Sequence, residues 1–472
     1  MAEAPLPLWV ALFMALSLYL VVRHWRDESG VGLMLAYVVS FGVLHGLTPI
    51  LYLLPWYWNA RLPLTEIGLH ESTFALLALA IGAEIATFVT RPQVMPVAVL
   101  PSPDHPFPPL PAPTPVDPRV VTALVAIGLV MYAVVLPLAG YVPSLTAVAS
   151  AGSTLALAGV ALKCWNAWEM GRPRVVLAWL AVCGVLPWVT VITQGFLGFG
   201  FAALLVALSF VAGFYRPRWK FVAASLVIAY LGLSTYVTYM RDRREIRAVV
   251  WTNAQMSSRF DRLVETVNQA ESFNIANTDH LDRIEKRLNQ DALVGAAISY
   301  LKERPTEFAS GETLWEALAA IVPRALWPDK PVVAGSGDLV SRFTGIRFAD
   351  DTSVGIGQVM ESYVNFGRAG VIGGFLLIGA LLASADRFAF RALRRQDAVA
   401  FTLWFLPGLS LLQVGGSFVE LTSTAAAAVV VALAVRQWAS RLGPPPDFVL
   451  DPSILLQPMP ELRAAPQPEA GQ

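Results

Sequence analysis

The chain has 472 residues, of which 56% are hydrophobic and 14% are charged. Soluble domains carry about 25% charged residues, so this composition excludes an ordinary water-soluble protein and indicates a polytopic membrane protein. The 34 Lys and Arg residues balance the 34 Asp and Glu residues. That balance argues against a nucleic-acid-binding protein, because phosphate recognition needs a basic excess.

We expect an all-α membrane helix bundle, because each bilayer crossing requires about 20 apolar residues. Eleven segments approach this requirement: 5–23, 31–54, 72–90, 119–140, 145–163, 175–193, 196–215, 220–239, 369–386, 398–416 and 420–437. With the N-terminus outside, the inward-facing ends hold 16 Lys and Arg residues, whereas the short outward connections hold only Arg61. This asymmetry predicts a multi-pass membrane protein whose long loop lies outside the cytoplasm.

Composition divides the chain into six predicted regions. They are N-terminal membrane helices (1–90), a cytoplasmic linker (91–118), central membrane helices (119–239), a large extracytoplasmic loop (240–368), C-terminal membrane helices (369–442) and a cytoplasmic tail (443–472). The linker contains eleven prolines in 28 positions, which predicts an extended spacer. The tail has a similar composition, which predicts that it is disordered.

The predicted loop holds half of the charge of the chain and is mostly helical. Residues 241–368 contain 16 Lys and Arg and 18 Asp and Glu residues. Helical spacing of apolar residues predicts helices over 251–272 and 278–303, and a third over 311–322 that stops at Pro323. A loop of this length is usually functional rather than connective.

Two groups of cations in this loop are candidate partners for an anion. Arg241, Arg243, Arg244 and Arg247 follow the eighth predicted span directly and should lie at headgroup depth. Arg324, Lys330 and Arg342 lie in or near a stretch rich in proline and glycine (323–338). Arginine binds the oxygens of a diphosphate bidentately, so these cations suit a lipid-linked anionic substrate.

A polar stripe precedes the ninth predicted span. Gln358, Glu361 and Asn365 are spaced by three and four residues, which places them on one helix face. Polar groups at a membrane boundary are costly and mark functional sites. The alternative is that Glu361 only pairs with a basic neighbour such as Arg368. As an acceptor base, Glu361 competes with two other acidic residues, Asp350 and Asp351.

The sequence predicts no metal or cofactor site, because Cys164 and Cys183 have no Cys or His companion at ligand spacing. His45 and Glu84 lie within predicted spans. We interpret His45 first as a satisfied core histidine, and Glu84 as close enough to the cytoplasmic end to reach water or a basic partner.

Two stretches resemble the bacterial O-antigen and exopolysaccharide repeat-unit polymerases of the Wzy type. These are IVPRALWPDKP (321–331) and TSVGIGQVMESYVNFGRAGVIGGFLLIG (352–379), within about 60 residues. The positions that match are Pro323, Arg324, Lys330, Pro331, Thr352, Ser353, Gly357, Glu361, Tyr363, Asn365, Phe366 and Gly367. The proline-rich linker and the odd number of spans depart from the family pattern.

The resemblance implies a helix bundle with an external cavity and a polyprenyl-diphosphate-linked oligosaccharide as both donor and acceptor. A flippase and a chain-length regulator of the same pathway would be its partners. Arg324, Lys330 and Arg241 would stabilise the diphosphate, and Glu361 would orient or deprotonate the acceptor. Arg244, Arg342, Gln358, Asn365 and Arg368 are further candidates for substrate binding, and Tyr363 and Trp327 could stack on sugars.

Three other functions stay open at this point. An O-antigen ligase would use the same chemistry with another acceptor. A lipid-linked sugar flippase or transporter usually shows repeated halves, which this sequence lacks. A non-catalytic sensor or scaffold would explain the paired charges of 241–304 but would leave the 323–367 motifs without a role.

Overall fold

The computed structural model describes residues 5–27, 30–91, 115–139, 143–252, 254–323, 326–327, 329–330, 335–348 and 354–442. Within these ranges the protein is a helical bundle. Most of the predicted linker and the whole predicted tail lie outside the described residues, and Asp117 caps a helix that begins at Pro118 through a 2.9 Å bond from the Arg119 N–H.

Eight apolar helices precede the predicted loop. They are α1 (Leu6–Asp27), α2 (Leu33–Leu51), α3 (Leu62–Val89), α4 (Pro118–Ala139), α5 (Pro143–Glu169), α6 (Pro173–Gln194), α7 (Gly198–Phe214) and α8 (Arg218–Trp251). In two of them the helix widens for one π turn, at Gly42–Gly46 in α2 and Met131–Val135 in α4. All eight overlap predicted spans, but α3 begins ten residues before the predicted start.

The predicted loop is helical where it is described, as expected. It contains α9 (Met256–Asn268), α10 (Thr278–Leu288), α11 (Gln290–Glu303), α12 (Glu312–Ala320) and α13 (Ser336–Thr344). The predicted helix over 278–303 is interrupted at Asn289, whose side-chain oxygen accepts a hydrogen bond from the Ala292 N–H and thereby caps α11.

Three helices follow the loop: α14 (Gln358–Arg394), α15 (Ala398–Ser410) and α16 (Phe418–Ala439). Helix α14 begins eleven residues before the predicted ninth span, because the polar stripe continues the helix. Phe366 and Gly367 depart from helical geometry and kink it, with Gly367 at φ 58°. The kink therefore lies inside one long helical element.

Nine of these helices are long and apolar enough to cross a membrane within the described ranges, while α7 and α15 are shorter apolar helices. Small residues bring the central helices into contact. Gly82 of α3 lies against the Leu376 carbonyl, and Gly379 of α14 lies against the Leu79 carbonyl. A side chain at either glycine would collide with backbone, so close packing of α3 on α14 requires glycine there.

Helix α11 packs into this centre and does not stand apart as an external loop. Its Gly295 lies against the Leu64 carbonyl, and Gly68 of α3 lies against the Asp291 carbonyl. The early start of α3 provides the surface that α11 covers. We call the side of the bundle that carries α9–α13 the loop side.

Candidate functional site on the loop side

The predicted polar stripe shares one helix face, as expected, but it is buried. Gln358, Glu361 and Asn365 have at most 2% exposure. The Gln358 amide accepts a 2.6 Å hydrogen bond from the Tyr37 hydroxyl and donates to the Gln413 carbonyl at 3.0 Å. It therefore joins α2, α14 and the segment that leads into α16.

Glu361 and Asn365 connect three elements in the same way. The Phe418 N–H, at the start of α16, donates to Glu361 Oε2 at 2.6 Å. Asn365 donates to the Thr313 hydroxyl at 2.7 Å and accepts from the Gly311 N–H at 2.9 Å. Glu361 Oε1 is buried, and no group in the described part of the chain bonds to it with hydrogen-bond geometry. This arrangement fastens α12 and α16 onto α14.

Arg368 does not pair with Glu361. Its Nε and Nη2 atoms donate to Glu71 Oε1 at 2.9 and 2.5 Å, and its guanidinium lies 4.5 Å from the centre of the Phe74 ring. Glu71 is buried on α3, whereas the Arg368 side chain is 54% exposed. The alternative that Glu361 is the partner of Arg368 is therefore wrong. Tyr363 is partly buried, with its ring centre 6.2 Å from that of Phe308.

The cations of the proline-rich stretch have local partners where they are described. Arg342 makes a bidentate pair with Glu312 at 3.0 and 2.7 Å. Hydrogen bonding in this pair raises the pKa of Arg342 and lowers that of Glu312. Lys330 donates to the Val322 carbonyl at 3.1 Å. Three predicted site residues lie outside the described residues: Arg324, Asp350 and Asp351.

The arginines that follow the eighth predicted span lie on a continuation of α8, and the helix directs them to different surroundings. Arg241 pairs with Asp242 at 2.8 Å and with Glu271 at 2.8 Å. Arg244 is exposed. Of the two predicted candidates, Arg241 is therefore bound by carboxylates and Arg244 faces outward.

Arg243 and Arg247 lie one turn apart on α8, and Arg287 of α10 lies close to both. Burial, and next the positive charges of Arg243 and Arg247, lower the pKa of Arg287. The Arg247 guanidinium lies 4.3 Å from the Phe196 ring centre, and its Nε donates to the Gly195 carbonyl at 3.3 Å. We call Arg243, Arg247 and Arg287 the arginine cluster.

Tyr236 belongs to the same face of α8, two turns before Arg243, and it interacts electrostatically with Arg243 and Arg287. Its hydroxyl is buried and makes no hydrogen bond within the described ranges. Three cations and an unused hydroxyl thus converge where α8 leaves the apolar bundle. Arg287 was not a predicted site residue, since only tertiary packing of α10 on α8 brings it there.

A second buried polar group was also missed. Asp291 Oδ1, at the start of α11, lies 2.7 Å from His45 Nδ1 and accepts a 2.5 Å hydrogen bond from the Ser72 hydroxyl. All three side chains are buried, and burial raises the pKa of Asp291. The interpretation of His45 as a satisfied core histidine holds for Nδ1, while Nε2 has no hydrogen-bond partner among the described residues. In sequence, Asp291 resembles an ordinary acidic residue of a first helical turn.

Glu84 pairs with Arg23 and accepts a 2.6 Å hydrogen bond from the Tyr19 hydroxyl, as expected for a group near the end of a span. In the described part of the chain, no three His, Cys, Asp or Glu side chains converge to hold a metal ion. Two depressions in the described part of the chain are lined by none of the predicted site residues.

Within the described residues, these features define the class of the protein as an all-α, multi-pass membrane protein that carries, on its loop side, the arginine cluster and the buried polar residues described above. A family model described as a domain of unknown function, DUF8712, matches residues 116–389. This is more than half of the chain, so the protein belongs to that family. No curated protein matches the chain, and no solved structure does.

Proposed function

We propose that the protein is a membrane glycosyltransferase that polymerises polyprenyl-diphosphate-linked oligosaccharide repeat units into O-antigen or exopolysaccharide. The hydroxyl of the acceptor unit attacks the anomeric carbon of the donor glycan, and the bond from that carbon to the diphosphate oxygen breaks. The lipid diphosphate leaves with the electron pair, and the hydroxyl proton passes to a base. The main electrostatic requirement is neutralisation of the leaving group.

The arginine cluster is the observation that carries this proposal. Helix α8 has 34 residues, so it is about 51 Å long and exceeds the roughly 30 Å apolar core of a bilayer. Arg243 and Arg247 lie near its loop-side end, at the depth of lipid headgroups. A diphosphate offers several oxygens to the planar forks of arginine, so arginines at this depth suit such a ligand.

The buried position of Glu361 supports a positioning role in this mechanism. Its bond to the Phe418 N–H holds the start of α16, and the neighbouring Asn365 holds α12. Asp350 and Asp351 stay predictions for the acceptor base. Arg324 and Lys330 stay predicted partners of the diphosphate, in addition to the arginine cluster.

The proposal includes the position of the protein in the bacterial cytoplasmic membrane, with eleven spans and the loop side outside. The 16-to-1 distribution of Lys and Arg supports this orientation, and α7 and α15 would be the two short crossings.

The orientation is tested in intact cells with single cysteines at the exposed positions Lys302 and Arg395, introduced after the two native cysteines are replaced by alanine. An impermeant maleimide should label position 302 and leave position 395 unlabelled; the reverse pattern contradicts the orientation.

The function is tested with Arg243→Gln and Arg287→Gln in a strain that lacks the chromosomal gene. Loss of a charged hydrogen bond costs about 1.5–3 kcal/mol, so each variant should form long glycan about 10- to 100-fold more slowly while single repeat units accumulate. Arg244→Gln, on the same helix but outside the cluster, is the matched control and should keep the wild-type chain length.

The same experiment separates polymerase from ligase, because a ligase defect leaves long lipid-linked chains that are not transferred to their final acceptor. Wild-type glycan in both cluster variants, at equal protein level, contradicts the proposed role of the arginine cluster. Wild-type glycan in the gene deletion itself contradicts the proposed function.

A transporter of lipid-linked sugars is the second candidate, and the buried His45–Asp291 pair favours it. Ionisable groups inside a membrane bundle often form part of ion or proton pathways, and π turns such as the one that contains His45 are frequent at functional sites. Proteoliposomes that move a labelled lipid-linked oligosaccharide across the bilayer without lengthening it would support transport over polymerisation.

A further inference from the structure

Helix α12 has three chemically distinct faces. Thr313 and Ala317 are buried against the bundle. Glu312 and Glu316, one turn apart, form a charged face, and Glu312 holds Arg342 there. The third face consists of exposed apolar residues that continue into the following turn: Trp315, Leu318, Ile321, Val322, Leu326 and Trp327. We call this last set the apolar ridge.

The apolar ridge is too large to be an incidental feature of a water-exposed surface. Trp315 is 64% exposed, Leu318 is 57% exposed and Leu326 is 79% exposed. Contiguous apolar patches of this kind mark contact with a protein or a membrane. The position of α12 relative to the membrane helices decides between these two partners.

The contact between α12 and α16 sets the depth of α12. The Thr422 hydroxyl donates a 2.6 Å hydrogen bond to the Ala317 carbonyl. Helix α16 has 22 residues, so it is about 33 Å long and only just crosses an apolar core of about 30 Å. Thr422 lies four residues after Phe418, about 6 Å from the loop-side end of the helix. Ala317 is therefore level with the apolar part of the nearer leaflet.

We propose that α12 is an in-plane helix embedded in the loop-side leaflet, with the apolar ridge in contact with lipid chains. The three faces fit this position. One packs on the bundle, the charged face with Arg342 points to the headgroups and water, and the ridge continues the lipid-facing surface of α16. Tryptophan prefers the interface between apolar core and headgroups, which suits Trp315 and Trp327.

The inference does not rest on the proposed glycosyltransferase activity. It adds a lateral route from the bilayer to the loop side, because Val322 of the ridge accepts the hydrogen bond of the Lys330 ammonium group. A lipid-linked anion of any kind would reach that ammonium group without leaving the membrane.

Another exposed apolar stripe provides a matched control. In α9, Met256, Phe260 and Val264 are exposed in the same way. However, α9 runs back along the protruding end of α8, with Arg262 3.3 Å from Asp242. Although Leu263 of α9 packs on Val191 near the loop-side end of α6, Arg262 and its carboxylate partners hold α9 at the charged end of α8, so we expect its stripe to contact water.

Nitroxide labels on single cysteines test the proposal in the full-length protein in lipid nanodiscs, after Cys164→Ala and Cys183→Ala. For labels at Leu318 and Val322, the collision rate with oxygen should exceed that with a water-soluble nickel chelate at least several-fold. A label at Val430, on the lipid-facing surface of α16, is the positive control and should show the same ratio. Labels at Phe260 and Glu312 should show the opposite preference.

Nickel accessibility at Leu318 and Val322 equal to that at Phe260 would overturn the proposal. Because the labelled positions are exposed, the substitutions should not prevent folding, and an unchanged gel-filtration profile checks this. A second measurement uses Leu318→Lys and Val322→Lys, which should lower the unfolding temperature in nanodiscs more than Phe260→Lys and Val264→Lys do. Equal shifts in the two pairs would also contradict a lipid-embedded ridge.

Discussion

The loop side contains two polar regions that are built in opposite ways. In the buried polar layer, which comprises His45, Ser72, Asp291, Gln358, Glu361 and Asn365, side chains bond to neighbouring helices and are removed from solvent. In the arginine cluster, burial and the charges of Arg243 and Arg247 lower the pKa of Arg287. The first region uses polar groups to join helices, whereas the second places three guanidinium groups in electrostatic contact with one another.

The difference shows how polar residues that affect stability can be distinguished from polar residues that affect ligand binding. A buried group that satisfies a backbone donor, such as Glu361, is expected to affect stability first, because its loss leaves that donor unpaired. A group held among like charges, such as Arg287, is expected to affect ligand binding first, because its presence costs folding energy. Substitutions in the two regions should therefore separate stability from activity.

The largest expected effect is that of Asp291→Ala. This substitution leaves His45 and Ser72 without their shared acceptor in the core, and each of these two buried groups left without its partner costs about 1–3 kcal/mol. Cys164 and Cys183 are buried, so a thiol-reactive dye reports unfolding when they become accessible. The dye should react at a markedly lower temperature in this variant. An unchanged transition would show that the pair does not hold α11 in the bundle.

The next effect is that of Glu361→Ala, which removes the acceptor for the Phe418 N–H. A buried donor left unsatisfied costs about 1–3 kcal/mol, and the same dye measures the loss. Glu361→Gln keeps an acceptor oxygen and should be less destabilising. If Glu361→Gln is as stable as the wild type but forms no long glycan, Glu361 acts on substrate and its assignment to the buried polar layer is wrong.

A smaller effect is expected for Arg342→Gln, because both members of its pair are about half exposed. Such pairs contribute about 0–1 kcal/mol. Because Arg342 lowers the folded-state pKa of Glu312, the contribution is present above the ordinary pKa of Glu312, about 4.3. It is lost as the pH falls through the lower folded value. Unfolding temperatures of the variant and the wild type should therefore converge in acid.

The smallest stability effect, and the sharpest contrast, is expected for Arg287→Gln. Burial and the charges of Arg243 and Arg247 disfavour the charged form of Arg287, so its loss should lower the unfolding temperature less than the loss of a paired arginine, even where glycan synthesis falls. Arg283→Gln is the matched control one turn earlier, since Arg283 pairs with Glu271 at 2.7 Å. A clear loss of stability in Arg287→Gln would place Arg287 with the structural polar residues.

Much of the fold could be predicted because apolar length and helical period are local properties. Each of the eleven apolar segments overlaps an observed helix, and the loop helices lie near their predicted positions. Helices α3 and α14 begin before the predicted spans for a common reason. Residues 62–71 and 358–368 carry polar side chains, which an apolar count leaves outside a span, but partners such as Asn289 for Thr65 and the Phe418 N–H for Glu361 bind them inside the bundle.

The candidate site was predicted less well. The shared face of Gln358, Glu361 and Asn365 follows from spacing alone, but its burial does not, because burial depends on helices distant in sequence. The same holds for the pairing of Arg368 with Glu71 across almost 300 residues. Charge counts placed the cations of α8 at headgroup depth, yet they could not separate Arg241, which carboxylates bind, from Arg243 and Arg247.

The sequence by itself determined that this protein is a helical membrane protein with a charged, mostly helical region between its eighth and ninth apolar segments. Hydrophobicity and helical period are properties of a single segment, so they can be read without knowing its contacts with other helices. Only the tertiary structure decided which polar groups join helices and which cations come into electrostatic contact. Hydrogen bonds and charge repulsion depend on distances of a few ångströms, and those distances exist only after the helices have packed.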